Sequence, residues 1–178
     1  MAIKATIFKA QINIADMDRN YYGDHTLTIA RHPSENDERM MVRLLAFALN
    51  ADEALSFTRG ISTDDEPDLW QKNLSDEIEL WIELGQPDEK RIRKACARAG
   101  RVILYTYQPR SASVWWQQME EKLLRFDNLS LFNLPADAAG QLATLASRNM
   151  QLQCTVQDGE VWLSDSEHNI HVVPDRWK

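Results

Sequence analysis

Two acidic residues are spaced so that they could share a hard metal ion. Glu83 stands near the end of a strand-like run, Glu77–Leu84. Ile78, Leu80, Ile82 and Leu84 take one side of that run, and Glu77, Glu79, Trp81 and Glu83 take the other. A strand inside an α/β sheet usually carries apolar groups on both sides. A carboxylate at its end, beside the tight connection Gly85-Gln86-Pro87-Asp88, therefore calls for a reason. One reading is an edge strand whose glutamates face water. The other is a ligand for Mg²⁺, which takes oxygens in octahedral geometry and is commonly held by one or two carboxylates with water and phosphate. Asp68, next to Pro67, supplies a second carboxylate. The stretch from Trp70 to Asp76 is long enough to turn the chain and set the two acids on neighbouring strands. Glu66 would point to the opposite face of an extended segment. A third candidate, Glu38, borders the apolar stripe of an early helix, where pairing with Arg59 would account for it equally well. Lys90 and Lys94, one helical turn apart after the strand, are candidates to orient water or stabilise charge, against the plainer reading of surface lysines. Gln86 at the strand end is an uncharged stand-in.

The elements that must position these residues follow from hydrophobic period and turn chemistry. Residues 2–14 and His25–Arg31 alternate as strands, joined across a polar loop from Asp16 to Asp24. A helix is predicted from Ser34 to Asn50, with Ser34 as cap and Met41, Leu44, Leu45 and Ala48 facing inward. Ala51–Lys72 is a long connection containing a short strand near Ala54–Thr58. Pro87–Ala99 is predicted as a helix started by proline and stopped by Gly100, leading to an apolar strand at Arg101–Tyr107. Such a strand–helix–strand unit closes as a right-handed parallel crossover. Helices over Ser113–Leu124 and Pro135–Arg148 and strands over Leu129–Leu134, Gln151–Val156, Glu160–Leu163 and Ile170–Val173 complete the chain. Gln157-Asp158-Gly159 is a hairpin signal.

Composition bounds the function classes. The chain has 178 residues, 44% of them apolar, with a net charge of −7. A single domain, residues 1–178, is expected. The net charge argues against a generally basic, nucleic-acid-coating surface. Charge is nonetheless uneven: eight acids and one base lie between Asp64 and Glu83, and six bases with no acid lie between Lys90 and Arg101. No run approaches the ~20 apolar residues of a membrane span, and the N-terminus lacks the pattern of a signal peptide. Cys96 and Cys154 are far apart, and reduced thiols in a cytoplasmic protein are expected. His168 and His171 have no acidic or cysteine partners at zinc spacing. Trp115-Trp116 is either core or a stacking platform for bases.

A Pro-Asp, then a glutamate one strand later, then helix and parallel strand, is the order of the PD-(D/E)XK nuclease pattern. The segments Arg31-His32-Pro33-Ser34-Glu35, Phe57-Thr58-Arg59-Gly60, Asp64-Asp65-Glu66-Pro67, Leu80-Trp81-Ile82-Glu83-Leu84-Gly85 and Trp115-Trp116-Gln117-Gln118 resemble the bacterial YaeQ family. The likeness runs from Met1 to Asp165. It implies a three-layer α/β/α fold with a mixed sheet, a compact PD-(D/E)XK (restriction-endonuclease-like) variant. It also implies Asp68, Glu83 and Glu38 as metal ligands for Mg²⁺. The pattern's lysine falls on Gly85, which has no side chain, so Lys94, Lys90 or Gln86 would have to replace it. Two functions stay open: a Mg²⁺-dependent phosphodiesterase acting on nucleic acid, and a catalytically inactive protein that kept the fold to bind a protein, a nucleic acid or another ligand. No membrane partner is expected.

Overall fold

Alternating exposure along Thr6–Asp16 shows why the first strand forms where it does: Phe8, Ala10, Ile12 and Ile14 are buried while Ile7, Lys9, Gln11 and Asn13 face out. The structure, a computed structural model, describes residues 4–59 and 65–178. The first residues of the expected strand 2–14, together with Gly60 of the long connection and Asp64 of the acidic segment, lie outside the described residues. In chain order the elements are β1 (Thr6–Asp16), β2 (Tyr21–Arg31), α1 (Asp37–Leu49), β3 (Leu55–Phe57), β4 (Leu69–Lys72), β5 (Ile78–Leu84) and α2 (Glu89–Arg98). They continue as β6 (Ala99–Thr106), α3 (Pro109–Leu123), β7 (Leu129–Asn133), α4 (Ala138–Ala143), β8 (Asn149–Gln157), β9 (Glu160–Ser164), β10 (Asn169–Val172) and β11 (Asp175–Arg176). The chain forms two compact units, Met1–Ala51 with Asp137–Val173 and Asp52–Ala136 with Pro174–Lys178. Each unit has its own mixed sheet, where the sequence reading expected one.

In the first unit the strand order is β10-β9-β8-β1-β2. β1 and β2 pair antiparallel, Phe8 opposite Ile29, and β8 runs parallel to β1. The loop expected at Asp16–Asp24 shrinks to four residues, because Tyr21 to Asp24 continue the ladder opposite Asp16 to Asn13. Asp158 and Gly159 turn β8 into β9 with φ of 54° and 76°, as a two-residue hairpin turn demands. Asp18 clamps that turn by accepting the N–H groups of Asp158 and Gly159, both at 2.8 Å. The cap of α1 is Asn36, not Ser34: its side chain accepts from the Arg39 N–H at 2.9 Å. α4 is much shorter than the expected Pro135–Arg148. Its last turn ends where the Thr144 hydroxyl donates to the Gln141 carbonyl at 2.6 Å, a local alternative to continuing the helix.

The second unit's sheet runs β11-β7-β6-β5-β4-β3. β5 is central, antiparallel to β4 and parallel to β6 across α2, the crossover the sequence implied. Trp81, Val102, Leu104, Leu129 and Leu131 of this sheet form a core with Ile92 and Ala95 of α2 and Met119 and Leu123 of α3. Gly100 does not stop α2; it lies in β6, where a Cβ would come within 3.2 Å of the Glu79 carbonyl oxygen. Its role is close approach of two strands. Among the described residues no helix is long and apolar enough to cross a membrane.

Candidate functional site

Antiparallel register explains why Asp68 and Glu83 converge. β4 and β5 pair Leu69 with Ile82 and Trp70 with Trp81. One step further along the same register sets Asp68 opposite Glu83, and the Asp68 N–H donates to the Ile82 carbonyl at 3.0 Å. Opposed residues in such a pair project from the same face. Both carboxylates are deeply placed, Asp68 with 4% and Glu83 with 5% of its surface exposed.

Donors from the protein reach both acids. Asp68 Oδ2 accepts the Leu84 N–H at 2.9 Å. Glu83 Oε1 accepts from Trp81 Nε1 at 3.0 Å and from Arg91 Nε at 2.7 Å. Trp81 can do this because it lies two residues before Glu83, on the same face of the strand. Arg91 can do it because Asp88 caps α2, its carboxylate accepting the Arg91 N–H at 2.8 Å, which fixes the first helical turn beside the strand end. Burial pushes the Glu83 carboxyl above its ordinary range. Hydrogen bonding and charge from Arg91, with the indole of Trp81, oppose that rise, and the negative charge of Asp68 adds to it.

The acidic segment and the basic helix are joined, not merely adjacent. Arg91 Nη2 donates to the Glu66 carbonyl at 2.9 Å, and Arg98 Nη1 donates to the Asp65 carbonyl at 2.9 Å. The Arg98 guanidinium stands 5.1 Å from the Trp81 ring centre.

The other candidates are placed differently. Lys90 and Lys94 are exposed on α2, whose inner face carries Ile92 and Ala95. Gln86 donates to Ser111 Oγ at 2.8 Å, tying the strand end to α3. Gly85 has φ 97°, a conformation that disfavours a lysine there although nothing lies within 4 Å of an added Cβ. Arg91 is therefore the base that meets Glu83. Its signal was present in the sequence: Arg91 and Ala95 are four apart and share the inner face of α2.

Glu38, in the first unit, is exposed on α1, its Oε1 3.9 Å from where a Cβ on Gly140 would lie. The buried acid beside that helix is Glu35, 7% exposed. Arg43 grips it with two bonds, Nε to Oε2 at 2.9 Å and Nη2 to Oε1 at 2.5 Å, and Arg39 adds a third at 2.9 Å. The Glu35–Arg39 bond is thus the outer part of a buried cluster. The recurrence of charge at 35, 39 and 43 carried that signal. Among the described residues, no three histidine, cysteine, aspartate or glutamate side chains gather at metal-ligand spacing.

The remaining motifs resolve into packing. Trp115 Nε1 donates to the Pro87 carbonyl at 3.1 Å, and Trp116 stacks on Trp177 with ring centres 5.7 Å apart. Burial pushes the thiols of Cys96 and Cys154 up to about 11 and about 12, which leaves both protonated and unreactive near neutral pH.

The fold and site define a class: a mixed α/β protein with two mixed sheets, in which an arginine and an indole hold a buried glutamate at the end of a central strand. The family profile described as YaeQ protein matches residues 1–174, and the chain belongs to that family. It is 52% identical over 178 residues to the uncharacterized protein YaeQ of Escherichia coli (strain K12), covering 100% of this chain and 98% of the relative. The YaeQ protein of Xanthomonas axonopodis pv. citri, known from a crystal structure, superposes with a TM-score of 0.96 at 44% identity, covering 98% of each chain. That of Pseudomonas syringae gives 0.93 at 36% identity, covering 98% of this chain and 96% of the other.

Proposed function

We propose that this protein is a non-catalytic binding protein built on a variation of the PD-(D/E)XK fold, and that its carboxylate pair is a structural centre. The order of Asp68, Glu83, α2 and parallel β6 supports the ancestry. One observation carries the functional reading: Glu83 Oε1 already takes Arg91 Nε at 2.7 Å and Trp81 Nε1 at 3.0 Å, so a metal on that oxygen would meet a guanidinium. A Mg²⁺ ion bound at ~2.1 Å would sit close to that guanidinium. Like charges 4 Å apart repel by about 4 kcal/mol per pair of unit charges at a dielectric typical of protein sites. Arg91 thus already supplies the positive charge that a metal on that oxygen would bring, and Gly85 supplies no lysine. The test is thermal unfolding with increasing Mg²⁺ or Mn²⁺, on the wild type and on Glu83→Ala and Asp68→Asn, followed by incubation with single- and double-stranded DNA and RNA. The expected result is no metal-dependent rise in Tm and no cleavage. A rise that grows with metal concentration, disappears in Glu83→Ala and is accompanied by cutting would overturn the proposal.

One observation favours a different reading, a Mg²⁺-dependent phosphodiesterase with Asp68 and Glu83 as the metal ligands: the charge of Asp68 acts on Glu83. In that reading Arg91 replaces the missing lysine as the nearby cation. Cleavage would then be lost in Arg91→Met and kept in Lys90→Ala and Lys94→Ala.

A further inference from the structure

The strand alternation of the first unit leaves one whole sheet face outside its core. Leu152, Cys154 and Val156 of β8 are buried, so Gln151, Gln153 and Thr155 project the other way. In β9, Val161 and Leu163 are buried, so Trp162 and Ser164 join that outer face. The register then sets Gln153 opposite Ser164 and Thr155 opposite Trp162. On the far side, Trp162 is opposite His171 of β10.

That arrangement props the indole upright. The rings of Trp162 and His171 stack with centres 4.8 Å apart and planes 8° from parallel. His171 Nε2 is in turn 2.9 Å from Glu160 Oε1, which holds the imidazole in place. With one face of the indole covered by His171, its other face turns toward Thr155 on β8. There it walls a groove of about 650 Å³ whose lining includes Gln153, Thr155, Gln157 and Ser164. Another groove, of about 630 Å³, shares Gln153, Ser164 and Asp165 with the first and continues past Gln11, Asn13 and Gln151.

We infer that this trough binds a neutral polyhydroxylated ligand, an oligosaccharide by chemical class, with a sugar ring stacked on Trp162 and its hydroxyls bonded by the amides of Gln153 and Gln151. Each amide presents a donor and an acceptor side by side, which suits neighbouring hydroxyls that must both give and take. The electron-rich face of an indole attracts the weakly positive C–H face of a pyranose. Charge selects this class over others. Among the described residues, the groove walls hold Asp24, Asp165 and Glu167 and no lysine or arginine, which disfavours phosphate-bearing chains. Two of the three acids are already engaged. Asp24 accepts from Asn13 at 2.8 Å, and Asp165 accepts the N–H groups of Glu167 and His168 at 2.8 and 2.6 Å. The trough therefore does not present a cluster of open carboxylates to a cation. The inference deepens the binding-protein reading by naming the ligand, but it rests on the other unit, so the metal and cleavage results leave it to be judged separately.

The test is calorimetric titration of the full chain with soluble neutral hexasaccharides of glucose, xylose and N-acetylglucosamine, repeated with Trp162→Ala, Trp162→Phe and Gln153→Ala. At least one saccharide should bind with little dependence on salt. The affinity should fall about tenfold or more in Trp162→Ala and Gln153→Ala, a loss of ~1.4 kcal/mol or more, and by much less in Trp162→Phe, which keeps a ring. If Trp162→Ala unfolds the sheet, the contrast between Trp162→Phe and Gln153→Ala carries the test. No heat from any saccharide at millimolar concentration would overturn the inference. So would binding that survives the loss of both Trp162 and Gln153, or a face that binds only spermine or an oligonucleotide in a salt-sensitive way.

Discussion

Each unit buries a glutamate next to a helix, and each answers it with arginine, but the two answers differ in completeness. In the first unit Glu35 receives three bonds from two guanidinium groups, and Arg43 is itself only 5% exposed. In the other unit, Glu83 shares one oxygen between Arg91 and Trp81, and the Arg91 side chain keeps 31% of its surface in water. Burial outweighs that compensation, so Glu83 holds its proton more tightly than an ordinary carboxyl. The comparison separates two outcomes of one device: a closed ion pair that specifies packing, and a partly closed one that leaves a titratable group at a strand end. In sequence the partly closed pair resembles a catalytic carboxylate, because a strand end beside a helix is where open α/β sheets put function.

The largest expected effect lies in the closed pair. Arg43→Met leaves Glu35 buried with Arg39 beside it but without the two Arg43 bonds, and should cost about 3 kcal/mol or more, as broken buried pairs do. Urea unfolding of the variant measures it; a loss no larger than that of an exposed substitution would show that the pair does not specify packing. Arg91→Met should cost less, about 1.5–3 kcal/mol, the usual worth of a hydrogen bond to a charged group. Its deficit should also depend on pH. Below 4.5, the ordinary value for the Glu83 carboxyl, the group is protonated in both folded and unfolded chains. There is then no charge for Arg91 to compensate, so the deficit should shrink. A deficit constant from acid to neutral pH would mean that Arg91 acts through bonds other than those to Glu83, such as the one to the Glu66 carbonyl.

Gly85→Lys, which restores the lysine of the nuclease pattern, should destabilise by roughly 1 kcal/mol because of its left-handed φ, and should bring no cleavage. The smallest effect is Glu83→Gln, near neutral at low pH because the amide can still accept from Trp81. Its value is in the pH profile. A carboxyl whose folded value is raised binds its proton more tightly in the folded chain, so its stabilising contribution is present below 4.5 and is lost as pH rises through the raised folded value. Stability against pH should therefore decline more steeply in the wild type than in Glu83→Gln over that window. Parallel curves would place the raised group elsewhere.

Much of the second unit was legible in the residues. The alternation of Ile78 to Leu84, the start of the helix near Pro87 and the apolar run after Gly100 specify strand, helix and parallel strand, because each signal lies within a few residues of the element it makes. Asp68 and Glu83 share a strand face because a short turn joins β4 to β5, a pairing still within reach of a local reading. The nuclease pattern asks for a lysine and so points to Lys90 and Lys94, whereas the spacing from Arg91 to Ala95 places arginine on the inner face. Glu38 stands out in the sequence because it borders the apolar stripe of α1, while the Asn36 cap leaves Glu35 outside the helix, held by Arg43.

The amino-acid sequence by itself determined the periodic elements, the β–helix–β order, the family and the chemical inventory of acids, amides and arginines. The number of sheets was settled only in three dimensions, as were the burial of Glu83 and Glu35 and the choice of arginine as partner. Strand pairing such as β8 beside β1 joins residues more than a hundred positions apart, beyond the reach of any local pattern. A glutamate carries the same side chain in water and under a helix; its surroundings raise or satisfy it, and those surroundings exist only once the sheet has closed its register.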